Sequence, residues 1–264
     1  MDNIFLLKLA LSFIVGSLWI TMGTVLAERY GTKIGGLVAG LPSTILISLF
    51  FIAWTQSTDV AVEATMIVPI IGGINCLFIV TYIVLLNINF WLALSGALLI
   101  WSFLSYGLVF ITFNSFLFSL IAYIFLVLIS YHLVERKLKV KSEPRKQIRY
   151  TSSIMVFRGL FSGFIIMLAV VMTKIGGPLL GGMFAMFPAM FIGTLFITYF
   201  SHGASFSAAV MKASILGAIS VVIYGIVVRY TYLPFGLWVG TIISIMISFG
   251  SSFFIHRFLT KKTL

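Results

Sequence analysis

Apolar and polar positions along the chain do not alternate; they fall into long unbroken apolar runs separated by short clusters of charge, Asn, Gly and Pro. The longest charge-free stretch, from Ala64 to Val134, spans 71 residues without one Asp, Glu, Lys or Arg. A helical crossing of a bilayer needs ~20 apolar residues, so this stretch has room for three. Helices and closed barrels are the structures that satisfy their own backbone groups in hydrocarbon, and continuous hydrophobicity selects helices. The breaks predict nine of them, over about 4–26, 34–54, 61–86, 90–111, 116–134, 153–173, 178–200, 204–228 and 234–256. The first run is too long for a signal-peptide core and lacks an A-x-A cleavage pattern, and a similar segment recurs near residue 160, so it reads as a helix of the mature chain.

Composition agrees: 61% of the 264 residues are hydrophobic and 9% are charged, far outside the soluble range. The net charge of +11 is concentrated in one polar segment, which carries Arg136, Lys137, Lys139, Lys141, Arg145, Lys146 and Arg149, and in the C-terminal tail. That is a topology signal, since Lys and Arg are retained on the cytoplasmic side. Nine helices then place Arg29, Lys33, Arg257, Lys261 and Lys262 inside as well, against Lys8, Lys174 and Arg229 outside. The expectation is a multi-pass protein of a prokaryotic cell membrane, N-terminus outside and C-terminus cytoplasmic. Its expected partners are membrane lipids, anionic ones at the basic strip, and a small-molecule or lipid substrate; a homo-oligomer stays open, and nucleic acid is excluded.

An internal repeat is the most informative pattern. From Gly35 the chain reads GGLVAGLPSTILISLFF, and from Gly181 it reads GGMFAMFPAMFIGTLFI. A shift of 146 residues superimposes Gly35 on Gly181, Gly36 on Gly182, Ala39 on Ala185, Pro42 on Pro188, Leu49 on Leu195 and Phe50 on Phe196. The pentapeptide TKIGG, at Thr32 and Thr173, fits a shift of 141 instead, but either shift pairs helix 2 with helix 7. Five helices precede the second unit, so it starts on the opposite face. The expected fold is all-α and polytopic, an inverted repeat of four helices, a linker helix and four helices. Residues 1–111 form the first unit, 112–151 the linker helix and basic loop, and 152–264 the second unit and basic tail.

Residues 33–111, with the AGLPST turn, the polar WTQSTD connection and the two helices after it, resemble the four-helix GlpM-like family of small membrane proteins. Helices 6 to 9 resemble it again through GGMFAMFPAMF and the segment from Tyr199 to Lys212. The resemblance implies a fused pair of such units with helix 5 inserted to invert the second. It implies no substrate.

Chemistry must therefore come from polar and helix-breaking residues in the span. Pro42 and Pro188 each remove an N–H and free a carbonyl one turn upstream, beside Gly36 and Gly40 or Gly181 and Gly182. A break there sets Ser43 and Thr44 at the start of a half-helix, whose positive dipole end suits an anion; a packed proline kink is the alternative. Lys212 lies ~12 Å from the cytoplasmic end of its predicted helix at 1.5 Å per residue, and Arg158 is shallower. Both either snorkel or make the inner half of a cavity positive. Asn75, beside Gly72 and Gly73, is a cavity candidate or an interhelical hydrogen-bonding residue.

Asp59 and Glu63 share one helix face, where they are solvated, pair with Lys8, or in the case of Glu63 couple a proton or cation. The lone cysteine, Cys76, forms no internal disulfide. His132, His202 and His256 have no metal-binding spacing, and the chain holds no G-x-S-x-G or phosphate loop. No enzyme, cofactor or metal is expected. Three functions stay in play: a small secondary transporter of an anionic small molecule, alternating access around helices 2 and 7; a translocase of a lipid or lipid-linked anion; and a non-transporting membrane scaffold.

Overall fold

A computed structural model describes residues 2–29, 42–111, 113–141 and 152–262, with backbone alone at 26–29 and 255–262. The first TKIGG, Gly35, Gly36 and Gly40 of the first proline segment, and Arg145, Lys146 and Arg149 of the basic loop lie outside the described residues, as do the side chains of Arg29, Arg257, Lys261 and Lys262.

The described elements are all helical. In chain order they are α1 (Asn3–Arg29), α2 (Ser43–Thr55), α3 (Thr58–Ala64), α4 (Val68–Leu85), α5 (Phe90–Phe110), α6 (Phe116–His132), α7 (Ser152–Gly176), α8 (Pro178–Ala185), α9 (Ala189–Gly217) and α10 (Ile219–Lys262). A 3-10 turn, Thr65–Ile67, joins α3 to α4 in one 28-residue span, and a π turn, Leu133–Lys137, extends α6. Among the described residues, six apolar helical stretches are long enough to cross a bilayer: Asn3–Val25, Thr58–Leu85, Phe90–Phe110, Phe116–Lys137, Ser152–Gly176 and Pro178–Phe254. The fourth and fifth apolar runs form separate helices, α5 and α6, which both pack on α4.

Start signals are local and chemical. Ser57, Asn89 and Ser115 accept hydrogen bonds from Val60, Leu92 and Phe118 backbone N–H groups and so cap α3, α5 and α6. The 77-residue stretch Pro178–Phe254 is not one rod. Its backbone leaves helical geometry at Gly203 (φ 83°, ψ −177°) and Gly236 (φ 72°, ψ 176°). Across Gly203, Thr198 Oγ1 donates to Ser207 Oγ at 3.0 Å, although nine residues of helix span ~13 Å. Across Gly236, Tyr232 Oη pairs with Thr241 Oγ1 at 2.9 Å and Thr231 Oγ1 with Ser244 Oγ at 3.1 Å, and Ser248 Oγ donates to the Ser220 carbonyl at 2.8 Å. Partners placed symmetrically about Gly236 meet only if the chain doubles back there.

Two antiparallel crossings organise the interior. Where α1 crosses α7, a Cβ on Gly16 would lie 3.5 Å from Gly163 Cα, one on Gly163 2.7 Å from the Phe13 carbonyl, and one on Gly159 2.8 Å from the Ser17 carbonyl. Small residues let these backbones touch, as they do in other membrane helix pairs. Val222 of α10 stands against Gly72 of α4, and Gly225 against Val68; beyond them Arg229 Nη1 donates to the Val62 carbonyl at 3.2 Å. Register that falls along one helix while it rises along the other marks this pair as antiparallel too. Outward faces stay apolar, with Phe110 82% and Phe103 80% exposed, which suits hydrocarbon and not water.

Candidate functional site

The helix that begins at Pro178 stops at Ala185, and α9 begins at Ala189, leaving Met186, Phe187 and Pro188 as a break. Proline forces it, because Pro188 offers no N–H to the turn before it and its ring excludes the carbonyl of that turn. Chain direction is recovered locally: the Ala189 N–H bonds to the Phe187 carbonyl at 2.8 Å, and the Ile192 N–H to the Pro188 carbonyl at 2.9 Å. Pro188 is the N-cap of α9, with φ −74° and ψ 36° and no side-chain cap. Pro42 is the N-cap of α2, with φ −75° and ψ 49°, also without a side-chain cap. In neither helix does the side chain of the cap accept from the first-turn N–H groups, which lie at the positive end of the helix dipole.

Three elements close around the break. From α4, Asn75 Nδ2 donates to the Met186 carbonyl at 3.0 Å. The Asn75 side chain is 7% exposed, and its Oδ1 has no hydrogen-bond partner. A buried amide oxygen left unpaired costs about 1–3 kcal/mol, so its retention calls for a reason. From α5, the Trp101 ring meets Phe187 at 5.0 Å, edge to face, and the Phe161 ring of α7 meets Phe187 from another side at 6.3 Å. From α7 comes the charge. Arg158 is 8% exposed, its Nη2 lies 3.7 Å from Met190 Sδ, and its stem runs along Gly193, where an added Cβ would lie 3.2 Å from Cγ. A guanidinium at this depth costs a few kcal/mol in hydrocarbon unless its surroundings are polar.

Asn75 therefore touches the break before Pro188, and Arg158 lies along the first turns of α9 that follow it. Pro42, Ser43 and Thr44 lie at the start of α2, which packs on both α7 and α8. Thr44 Oγ1 and Ser48 Oγ, one turn apart on α2, are buried without partners. Lys212 is engaged elsewhere: its Nζ pairs with Glu135 at 2.6 Å and donates to the Val140 carbonyl at 2.7 Å, tying the π turn to α9. Glu63 and Asp59 are exposed on α3. Lys8 does not reach them; it donates to the Trp54 carbonyl at 2.6 Å and lies over the Trp54 ring.

Met186, Phe187 and Trp101 are parts of the break that sequence reasoning overlooked, as is a buried chain from Tyr82 through Ser207 to Thr198. The tight α1–α7 crossing was readable, since GLFSG at 159–163 is a G-x-x-x-G pattern. Among the described residues, no group of three or more His, Cys, Asp and Glu side chains is placed to hold a metal ion. The break and the first turns of α9 bring together a cation, a helix N-terminus with no side-chain cap and, in Asn75 Oδ1, a buried acceptor without a partner.

Residues 9–115, from α1 to the cap of α6, match a family described as protein of unknown function, DUF3147. No curated protein and no solved structure matches the chain.

Proposed function

We propose that the protein is a small secondary transporter of an anionic small molecule, working by alternating access around the proline-broken starts of α2 and α9. The observation that carries this reading is the matched pair of uncapped starts at Pro42 and Pro188, with nearly equal backbone angles, the second of them beside the buried Arg158. An anion entering there gains a guanidinium and a helix N-terminus at once.

Nine crossings in an inverted repeat supply the two states such a mechanism needs. With reversals at Gly203 and Gly236, the Pro178–Phe254 stretch counts as three crossings, and the apolar helix Ser43–Thr55 marks one more. Helices related by a two-fold axis cross at mutually equivalent residues. Under the shift of 146, Gly16 corresponds to Ser162 and Ser17 to Gly163, and these are the positions where α1 crosses α7. On this reading the chain is a fused pair of GlpM-like units with α6 as the inserted helix.

The test is tracer flux into proteoliposomes for malate, aspartate, succinate, 2-hydroxyethyl phosphate and ethyl phosphate. Flux of at least one of these that falls tenfold or more in Arg158→Gln is expected, about the effect of one buried charged contact. Absence of flux across the panel in a monodisperse, folded preparation overturns the reading.

A further inference from the structure

The break holds one group that an anion alone leaves unsatisfied. Asn75 has two amide donors and one acceptor oxygen. Its Nδ2 already donates to the Met186 carbonyl, an acceptor, which fixes the orientation of the amide. Oδ1 is bonded to the same carbon as Nδ2, so it too stands at the break, and it is buried without a partner. This oxygen can only accept. Arg158, whose Nη2 reaches Met190 four residues beyond Met186, can only donate. The N–H groups of the first turn of α9, which has no side-chain cap, also only donate.

The turn from Met186 to Met190 is compact, being closed by the Ala189 to Phe187 and Ile192 to Pro188 hydrogen bonds, and aromatic contacts brace it from both sides. Phe78, three residues after Asn75, stacks on Phe191, and Phe161, three residues after Arg158, packs on Phe187. Asn75 Oδ1 and the Arg158 guanidinium thus approach one short segment from two different helices, α4 and α7.

We infer that the ligand of this site is an anion that itself carries an O–H or N–H donor close to its charge, with Asn75 Oδ1 accepting that hydrogen and Arg158 with the α9 N-terminus taking the negative group. A hydroxy acid, an amino acid or a hydroxyalkyl phosphate fits; the same skeleton with hydrogen in place of the donor does not. Asn75 is then a specificity-determining residue, because a site built to hydrogen-bond one group discriminates against the analogue lacking it.

The inference rests on the transport reading, and matched ligands separate the two. Malate, aspartate and succinate share a four-carbon diacid skeleton and differ at one carbon, as hydroxyl, ammonium or hydrogen. Hydroxyethyl phosphate and ethyl phosphate repeat the contrast with a phosphate charge. For wild-type protein in proteoliposomes, flux of the donor-bearing member of at least one family is expected to exceed its donor-free partner by about ten- to a hundredfold, the range for one buried hydrogen bond. In Asn75→Leu that ratio falls to near one. Equal flux within both families in the wild type overturns the inference and leaves the transporter standing. No flux of any member overturns both. Because the decisive ratio is read on wild-type protein, a poorly folding Asn75 variant does not remove the test.

Discussion

Gly203 and Gly236 have φ of 83° and 72° with ψ close to 180°, a region that side-chain-bearing residues enter only with strain, yet a Cβ on either meets nothing within 4 Å. Alanine at Gly203 or Gly236 therefore loses backbone freedom alone, at about 1–3 kcal/mol. Gly163 fails for the opposite reason. Its helical backbone accepts alanine, but the Cβ would lie 2.7 Å from the Phe13 carbonyl and 3.0 Å from the Ser17 nitrogen, forcing α1 and α7 apart at roughly 1–3 kcal/mol. Gly107, in α5 with open space around it, has neither constraint, and alanine there gains about 0.5–1 kcal/mol of helix propensity. Thermal melting in detergent should show Gly203→Ala, Gly236→Ala and Gly163→Ala lowering the midpoint and Gly107→Ala raising it. A uniform response at all four would remove the distinction between strain and close packing.

Between elements, the tie from α9 to the π turn after α6 is electrostatic. Lys212 is 12% exposed and Glu135 43%, so the pair is partly screened and its coupling is about 1 kcal/mol. A double-mutant cycle with Lys212→Met and Glu135→Gln should return a coupling of that size, and strictly additive effects would mean that the contact does not hold the turn. This pairing was not legible in the sequence, where Lys212 reads as a cavity cation, because its partner lies far away in the chain and only the π turn delivers it. The helices themselves were legible, since apolar runs bounded by Asn89, Ser115 and Pro188 carry both the length and the stop signals. The break at Pro188 was legible for the same reason. Its occupants were only half so: Asn75 and Arg158 stood out as polar groups in apolar runs, whereas Trp101 and Phe187 are indistinguishable in sequence from the lipid-facing aromatics around them. The chain reversals sit at single glycines, and the ladder of Ser, Thr and Tyr hydroxyls that zips α10 onto itself has no signature beyond its composition.

At the scale of the molecule, the sidedness of the crossings decides whether two opposed halves exist at all. The proposed inversion requires an odd number of crossings before α7, and the separate helices α5 and α6, both packed on α4, enter that count as two. Four connections then alternate in side along the chain. On the proposed topology, with the basic segment 135–141 held inside by the bias of Lys and Arg, Asp59 and Asn114 are expected outside, and Asn87 and Ser201 inside. All four are exposed and the lone Cys76 is buried, so single cysteines can report each connection. In a Cys76→Ser background, a membrane-impermeant maleimide applied to intact cells should label Asp59→Cys and Asn114→Cys, and reach Asn87→Cys and Ser201→Cys only after permeabilisation. The reverse pattern would invert the expected orientation and leave the proposed crossing count intact. Labelling Asn87→Cys from outside and Asp59→Cys only after permeabilisation, with Ser201→Cys still inside and Asn114→Cys unlabelled from either side, would merge α5 and α6 into one crossing, and the second unit would then run parallel to the first. Two parallel halves have no two-fold axis in the membrane plane, so the equivalence of Pro42 with Pro188 would lose its meaning for alternating access.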